Sequence, residues 1–133
     1  SSNPAMPRCA VNTTAKNNIV EAINEVNGTL QEMTFTFTGG TTDVKRKGNL
    51  LFIDSRVNSG SAGTSPIIVG ENIPEKFRPT NYIRIPVFHN EIDSVVGELV
   101  YNQEENRFRM YVTPSFVPSS GATLVASGIT ALF

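Results

Sequence analysis

The chain of 133 residues carries one cysteine, one histidine and no tryptophan. With Cys9 alone, no disulfide can form within the chain and no cysteine-based metal site can be built. Cys9 falls in the tail-like run Asn3-Pro4-Ala5-Met6-Pro7-Arg8-Cys9, where an exposed free thiol is expected. With His89 alone, a histidine metal cluster is excluded. A catalytic triad would have a single place to form, and nothing marks it. Charge is also scarce: 17% of residues are charged, and the formal net charge is -1 with no broad basic excess. Nucleic acid and anionic membrane surfaces are therefore poor partners. No apolar run approaches the roughly 20 residues of a membrane span, so membrane insertion is not expected. The sequence reads without a secretory signal pattern. The opening Ser1-Ser2-Asn3-Pro4 is expected of a piece of a longer protein.

Signatures of catalysis are missing too. No G-x-S-x-G elbow occurs, and Gly60-Ser61-Ala62-Gly63 reads as a flexible loop. No glycine-rich phosphate loop follows a strand and opens a helix. A glycosidase needs two positioned carboxylates. Asp54, Asp93, Glu98, Glu104 and Glu105 are available, but Glu104 and Glu105 fall in a turn, where solvation is the plainer role. The expectation is a chain that is not an enzyme and uses no cofactor or metal.

What is present begins with a seam. Ile19, Ile23, Val26, Leu30 and Met33 recur at alternating spacings of four and three. With Ile23 and Leu30 at a positions and Ile19, Val26 and Met33 at d, the isoleucines favour three strands over two. A helix this short is marginal alone, so its apolar stripe needs copies of itself. Thr13 or Thr14 can cap it. Its end is open between two readings: a stop at Asn27-Gly28, with the glycine left-handed, or continuation to Glu32 at a cost of roughly 1 kcal/mol for Gly28. The expected organisation is a lead-in over 1–12, a helical stalk over 13–32 and a β head over 33–133.

After Met33 the apolar period becomes two, with Phe35 and Phe37 between threonines. Strand candidates follow at 41–47, 49–54, 66–70, 82–88, 94–101, 107–113 and 122–127, with turn signals between them. That pattern predicts an all-β sandwich or barrel. The 49–54 run is apolar on both faces, as a central strand or a strand at a subunit contact would be. In the hairpin 94–113, a loop over Gln103–Asn106 pairs Tyr101 with Phe108 and Leu99 with Met110 on a core face. The opposite face then holds Glu98, Val100, Arg107, Arg109 and Tyr111, with Glu98 in reach of Arg109 or Tyr111. Such a face could hydrogen-bond a polar ligand; a solvated or subunit-pairing face is the plainer account. Lys45-Arg46-Lys47 could attract an anionic polymer or protect a sheet edge. His89, after Phe88 at a strand end, is expected to face a loop.

Several segments together resemble a known family. They are Val44-Lys45-Arg46-Lys47-Gly48-Asn49-Leu50-Leu51-Phe52-Ile53, Ile73-Pro74-Glu75-Lys76-Phe77-Arg78-Pro79, Ile85-Pro86-Val87 and Gly97-Glu98-Leu99-Val100. Their order is similar to the head domains of receptor-binding proteins in the tail fibres and baseplates of tailed bacteriophages, lactococcal type. Val20-Glu21-Ala22-Ile23-Asn24-Glu25-Val26 is similar to phage-fibre stalk segments. The resemblance spans about 14–113. It implies a homotrimer at the virion tail tip, with small antiparallel, Greek-key-like heads that bind bacterial cell-wall or surface polysaccharide. Other tail or baseplate proteins would join through the N-terminal side. Related heads often hold the sugar with a tryptophan and a histidine; this chain offers Glu98, Met110 and Tyr111 at about those positions. The candidate saccharide contacts are Glu98, Arg107, Arg109 and Tyr111, with His89 as a neighbour; the trimerisation residues are Ile19, Ile23, Val26 and Leu30. A structural trimerisation module and a polysaccharide-cleaving enzyme are the alternatives. Phe77-Arg78-Pro79 has a structural reading: Phe77 plugs the barrel, Arg78 ties loop carbonyls and Pro79 stiffens the connection.

Overall fold

Alternation of apolar and polar side chains from Gln31 onward produces eight strands. They are β1 (Gln31–Phe37), β2 (Gly40–Lys47), β3 (Leu50–Asn58), β4 (Ile67–Glu71), β5 (Arg84–His89), β6 (Ser94–Asn102), β7 (Arg107–Val112) and β8 (Thr123–Ala131). The structure is a computed structural model that describes residues 19, 28–58, 66–90, 94–113 and 122–132. The expected lead-in 1–12, all of the expected stalk before Gly28 except Ile19, and residues 59–65, 91–93, 114–121 and 133 lie outside the described residues.

The strands form one sheet in the order β1-β2-β3-β8-β5-β6-β7-β4, and every pairing is antiparallel. Three hairpin-linked strands, β5-β6-β7, are flanked by β8 on one side and β4 on the other, which is Greek-key wiring. The terminal strands β1 and β4 come together, so the sheet curls into a nearly closed barrel. Phe35 of β1 meets the Phe108 ring edge-on at 6.4 Å across that junction.

One core fills the barrel. It includes Val44, Leu51, Ile53, Val57, Val87, Leu99, Phe108, Met110 and Leu124. Each large side chain so buried contributes roughly 1.5–3 kcal/mol. Thr42 and Ser55 are also buried and satisfy each other through a 2.8 Å hydroxyl hydrogen bond. Phe77, in a single 3-10 turn over Glu75–Phe77, is buried in the same core. Arg78 donates from Nε to the Ile73 carbonyl at 2.7 Å, so this connection is held as its residues suggested.

Two expectations are corrected. A helix reaching Glu32 is excluded, because Gln31, Glu32 and Met33 pair with Arg46, Lys45 and Val44 of β2. Met33, Phe35 and Phe37 share one face and pack against the core, so Met33 belongs to the alternation and not to a helical seam. Leu30 is exposed between Gly28 and β1, outside any helix. Ile19 is described and exposed; Ile23 and Val26 lie outside the described residues, as does a helix end at Asn27.

The second correction concerns the basic run. β2 lies between β1 and β3, so its lysines protect no sheet edge. Arg46 takes the inward parity of Thr42 and Val44 and is buried. It donates from Nε to the Gly48 carbonyl at 2.8 Å and from Nη1 to the Lys76 carbonyl at 3.0 Å. The arginine ties the β2–β3 turn to the connection that carries Phe77.

Candidate functional site

The β6–β7 hairpin sets the site. Tyr101 pairs with Phe108, Leu99 with Met110 and Glu98 with Tyr111. Leu99, Tyr101, Phe108 and Met110 are buried, as the expected register requires. The turn Gln103–Asn106 is organised by polar side chains. The Asn102 side chain accepts from the Glu105 amide at 2.9 Å, an Asx-type contact. Asn106 holds a left-handed φ of 53°, accepts the Tyr101 hydroxyl at 2.7 Å and donates to the Ile73 carbonyl at 3.0 Å. Gly97 permits close strand approach: a Cβ there would sit 1.8 Å from the Tyr111 carbonyl oxygen.

The outward face divides into two ion-paired groups. In one, Arg84 of β5 grips the Glu98 carboxylate through Nε and Nη2. This is the bidentate arrangement that fixes geometry as well as charge. In the other, Glu105 receives Arg107 Nη1 at 2.8 Å and Arg109 Nη2. Arg107 also lies 3.4 Å from Glu71 of β4, and Arg109 donates to the Tyr111 hydroxyl at 3.4 Å. The Arg84 hydrogen bonds hold the Glu98 carboxyl below its ordinary range, and Arg84 itself is shifted up. The Arg109 hydrogen bond likewise lowers Glu105, and Arg109 is raised through Tyr111 and Glu105. Burial raises the Tyr101 phenol. Both carboxylates are thus charged acceptors at neutral pH.

Glu98 and Tyr111 also border a shallow depression of about 610 Å³. Its walls include Tyr82, Glu98, Val100, Gln103, Glu104 and Tyr111. Tyr82 is 69% exposed and Tyr111 38%. Gln103 Nε2 donates to the Thr80 carbonyl at 3.4 Å, which links the hairpin turn to the segment leading into β5. Two exposed phenol rings beside charged acceptors and donors can present flat apolar surface and hydrogen bonds together. Among the described residues, no group of three or more His, Cys, Asp or Glu side chains is placed to hold a metal.

The structure brings Glu98, Arg107, Arg109 and Tyr111 to one outer face. Tyr111 is the cross-strand neighbour of Glu98, as expected, but the ion pair of Glu98 is with Arg84 of β5. His89 is removed from the set: it is 3% exposed, at the far end of β5 opposite Ser94. Its parity with Ile85 and Val87 turns it inward. Tyr82 and Arg84 are additions. The same parity, with Ile83 and Ile85 inside, marks both as outward.

No protein-family model matches the chain, and no curated protein matches it either.

Proposed function

We propose that this chain is the receptor-binding head of a bacteriophage tail, a homotrimer that grips bacterial surface saccharide without catalysis. The observation that carries the reading is the pair of exposed tyrosines, Tyr82 and Tyr111, lining one shallow depression with Glu98 of the Arg84–Glu98 ion pair. A sugar offers an apolar ring face and a dense set of hydroxyls. The tyrosine rings suit the first, and charged hydrogen-bonding groups suit the second. Arg107 and Arg109 support this surface from the side, held by Glu105. A shallow site of this kind gains little from one contact; three sites on one trimer raise the avidity without new contacts. The heptad of Ile19, Ile23 and Val26 supports a stalk, whose N-terminal side would join other tail or baseplate proteins at the tail tip.

The test is an array of purified bacterial wall polysaccharides probed with the full chain. The reading expects selective binding that Tyr82→Ala with Tyr111→Ala abolishes while the oligomer mass stays intact. Binding that the double substitution leaves unchanged would move the function elsewhere. One observation favours a second reading, that of a cleaving enzyme: Asp43 and Asp54 are cross-strand partners lining a different depression. Each accepts a hydroxyl, from Thr34 at 2.7 Å and from Ser127 at 2.6 Å. Release of reducing ends from the bound polysaccharide, lost in Asp54→Asn, would establish that reading instead.

A further inference from the structure

Away from the tyrosine face, the outer surface of the barrel changes character. Phe52 of β3 and Ile129 of β8 are direct cross-strand partners, and both point outward. Leu50 follows on the same face of β3, exposed beside Ala131. Further along β8 the outward Val125 pairs with Phe88 of β5, which in turn pairs with Val95 of β6. Ile129 is 64% exposed and Val95 58%. The four positions from Val125 to Ile129 span roughly 13 Å of strand. Strand register therefore strings Leu50, Phe52, Ile129, Val125, Phe88 and Val95 into one band, interrupted by the Ser127–Asp54 hydrogen bond. The inward side of these strands already fills the core, so the fold does not require apolar residues outside. A band this long is not the scattered surface apolar residue of an ordinary monomer.

We propose that the β3–β8 outer face is covered in solution by a second copy of this chain. The inference rests on the oligomeric part of the proposed function and names the surface that part would use. The point where the chain enters the head identifies the occupant. Gly28 lies against the β2–β3 turn: a Cβ on it would meet Lys47 Cγ at 3.8 Å and the Gly48 amide at 3.9 Å. Leu50 is two residues beyond Gly48, so the 27 residues preceding Gly28 join the head at the Leu50 end of the band. Those residues carry Ile19, Ile23 and Val26, whose spacing calls for identical partners. A copy that meets this chain through the seam is therefore delivered to the same end as the band. The border fits a protein interface as well. Lys45 and Lys47 flank the apolar centre on β2, and Asp43, Asp54 and Arg56 flank it further along. That is an apolar centre with a charged rim of both signs. A copy seated here would also cover the depression that holds Asp43 and Asp54.

The experiment measures the mass of the full chain by light scattering across a dilution series, with hydroxyl-radical footprinting of Phe52 and Phe88. The expected result is an oligomer in which both phenylalanines become protected as concentration rises. Ile129→Asp should weaken association at least tenfold while circular dichroism stays that of the wild type, because an exposed position does not threaten the subunit's own fold. The footprint of the wild type needs no variant, so it decides the matter even if Ile129→Asp fails to fold. An oligomer whose Phe52 and Phe88 remain as reactive as in the dilute chain overturns the inference alone and leaves the oligomeric reading standing. A folded Ile129→Asp of unchanged mass does the same. A wild-type monomer at every concentration overturns both. Binding of the array by a dissociated chain separates either outcome from the saccharide reading, which stands on its own face.

Discussion

Across β5, β6 and β7 one group of outward side chains is Arg84, Glu98, Arg109 and Tyr111; a second, across β3 and β8 and reaching Phe88 and Val95, includes Leu50, Phe52 and Ile129. Both faces sit on the same barrel and cover the same core. Inward, the two regions are alike: Leu99 and Met110 behind one face, Leu51 and Ile53 behind the other. The fold therefore explains the inner positions and is indifferent to the outer ones. The contrast between a charged, phenolic face and an apolar one is what the proposed saccharide and the proposed second copy would each require.

The largest effect is expected where the two faces share support. Phe108→Ala should destabilise the head by about 3–5 kcal/mol, because the ring is fully buried. Thermal unfolding should show it, and both faces should be lost together. If one face survived that loss, the two would not depend on a common core. Gly97→Ala comes next, at about 1–3 kcal/mol. Its added methyl must part β6 from β7 at the Tyr111 carbonyl. The damage should centre on the tyrosine face, which amide exchange along β6 and β7 would report against β3 and β8.

Arg84→Gln should act more narrowly. The ion pair with Glu98 is solvent-exposed, so little change in melting temperature is expected. Polysaccharide binding should fall several-fold, since Glu98 loses the partner that fixes its orientation. A large drop in melting temperature would assign the pair to stability instead. The smallest effect is that of pH. Glu98 and Glu105 have folded-state pKa values below the ordinary value of 4.5. Their contribution is present above the unfolded-state pKa and is lost as pH falls through the lowered folded-state values. Binding should therefore weaken in acid as pH falls through those lowered values. Carboxyl chemical shifts followed by NMR check the two titrations directly.

Much of the barrel was legible in the sequence because its strands alternate cleanly. All eight strands overlap the segments that alternation and turn residues mark, although β1 begins at Gln31, β3 runs on to Asn58 and β8 to Ala131, and the β6–β7 register follows from matching Tyr101 with Phe108. The gaps have physical causes. Met33 fits both a heptad and the alternation with Phe35, and pairing with β2 decides between them. Ser55 and Val57 continue β3 past Asp54, but polar residues inside a barrel mask the period. Arg46 reads as surface charge until backbone carbonyls from two loops are seen to surround it. At the site, Tyr82 and His89 both follow from the parity of β5, which places one outside and the other inside. The Arg84–Glu98 pairing was not legible, because it depends on how β5 registers against β6.

The central claim is that the tyrosine face binds saccharide independently of whatever holds the copies together. Binding of immobilised bacterial wall polysaccharide by Tyr82→Ala with Tyr111→Ala, at verified oligomer mass, tests it most directly. The account predicts that binding is abolished while mass and melting temperature remain those of the wild type. Undiminished binding by the intact oligomer would contradict it.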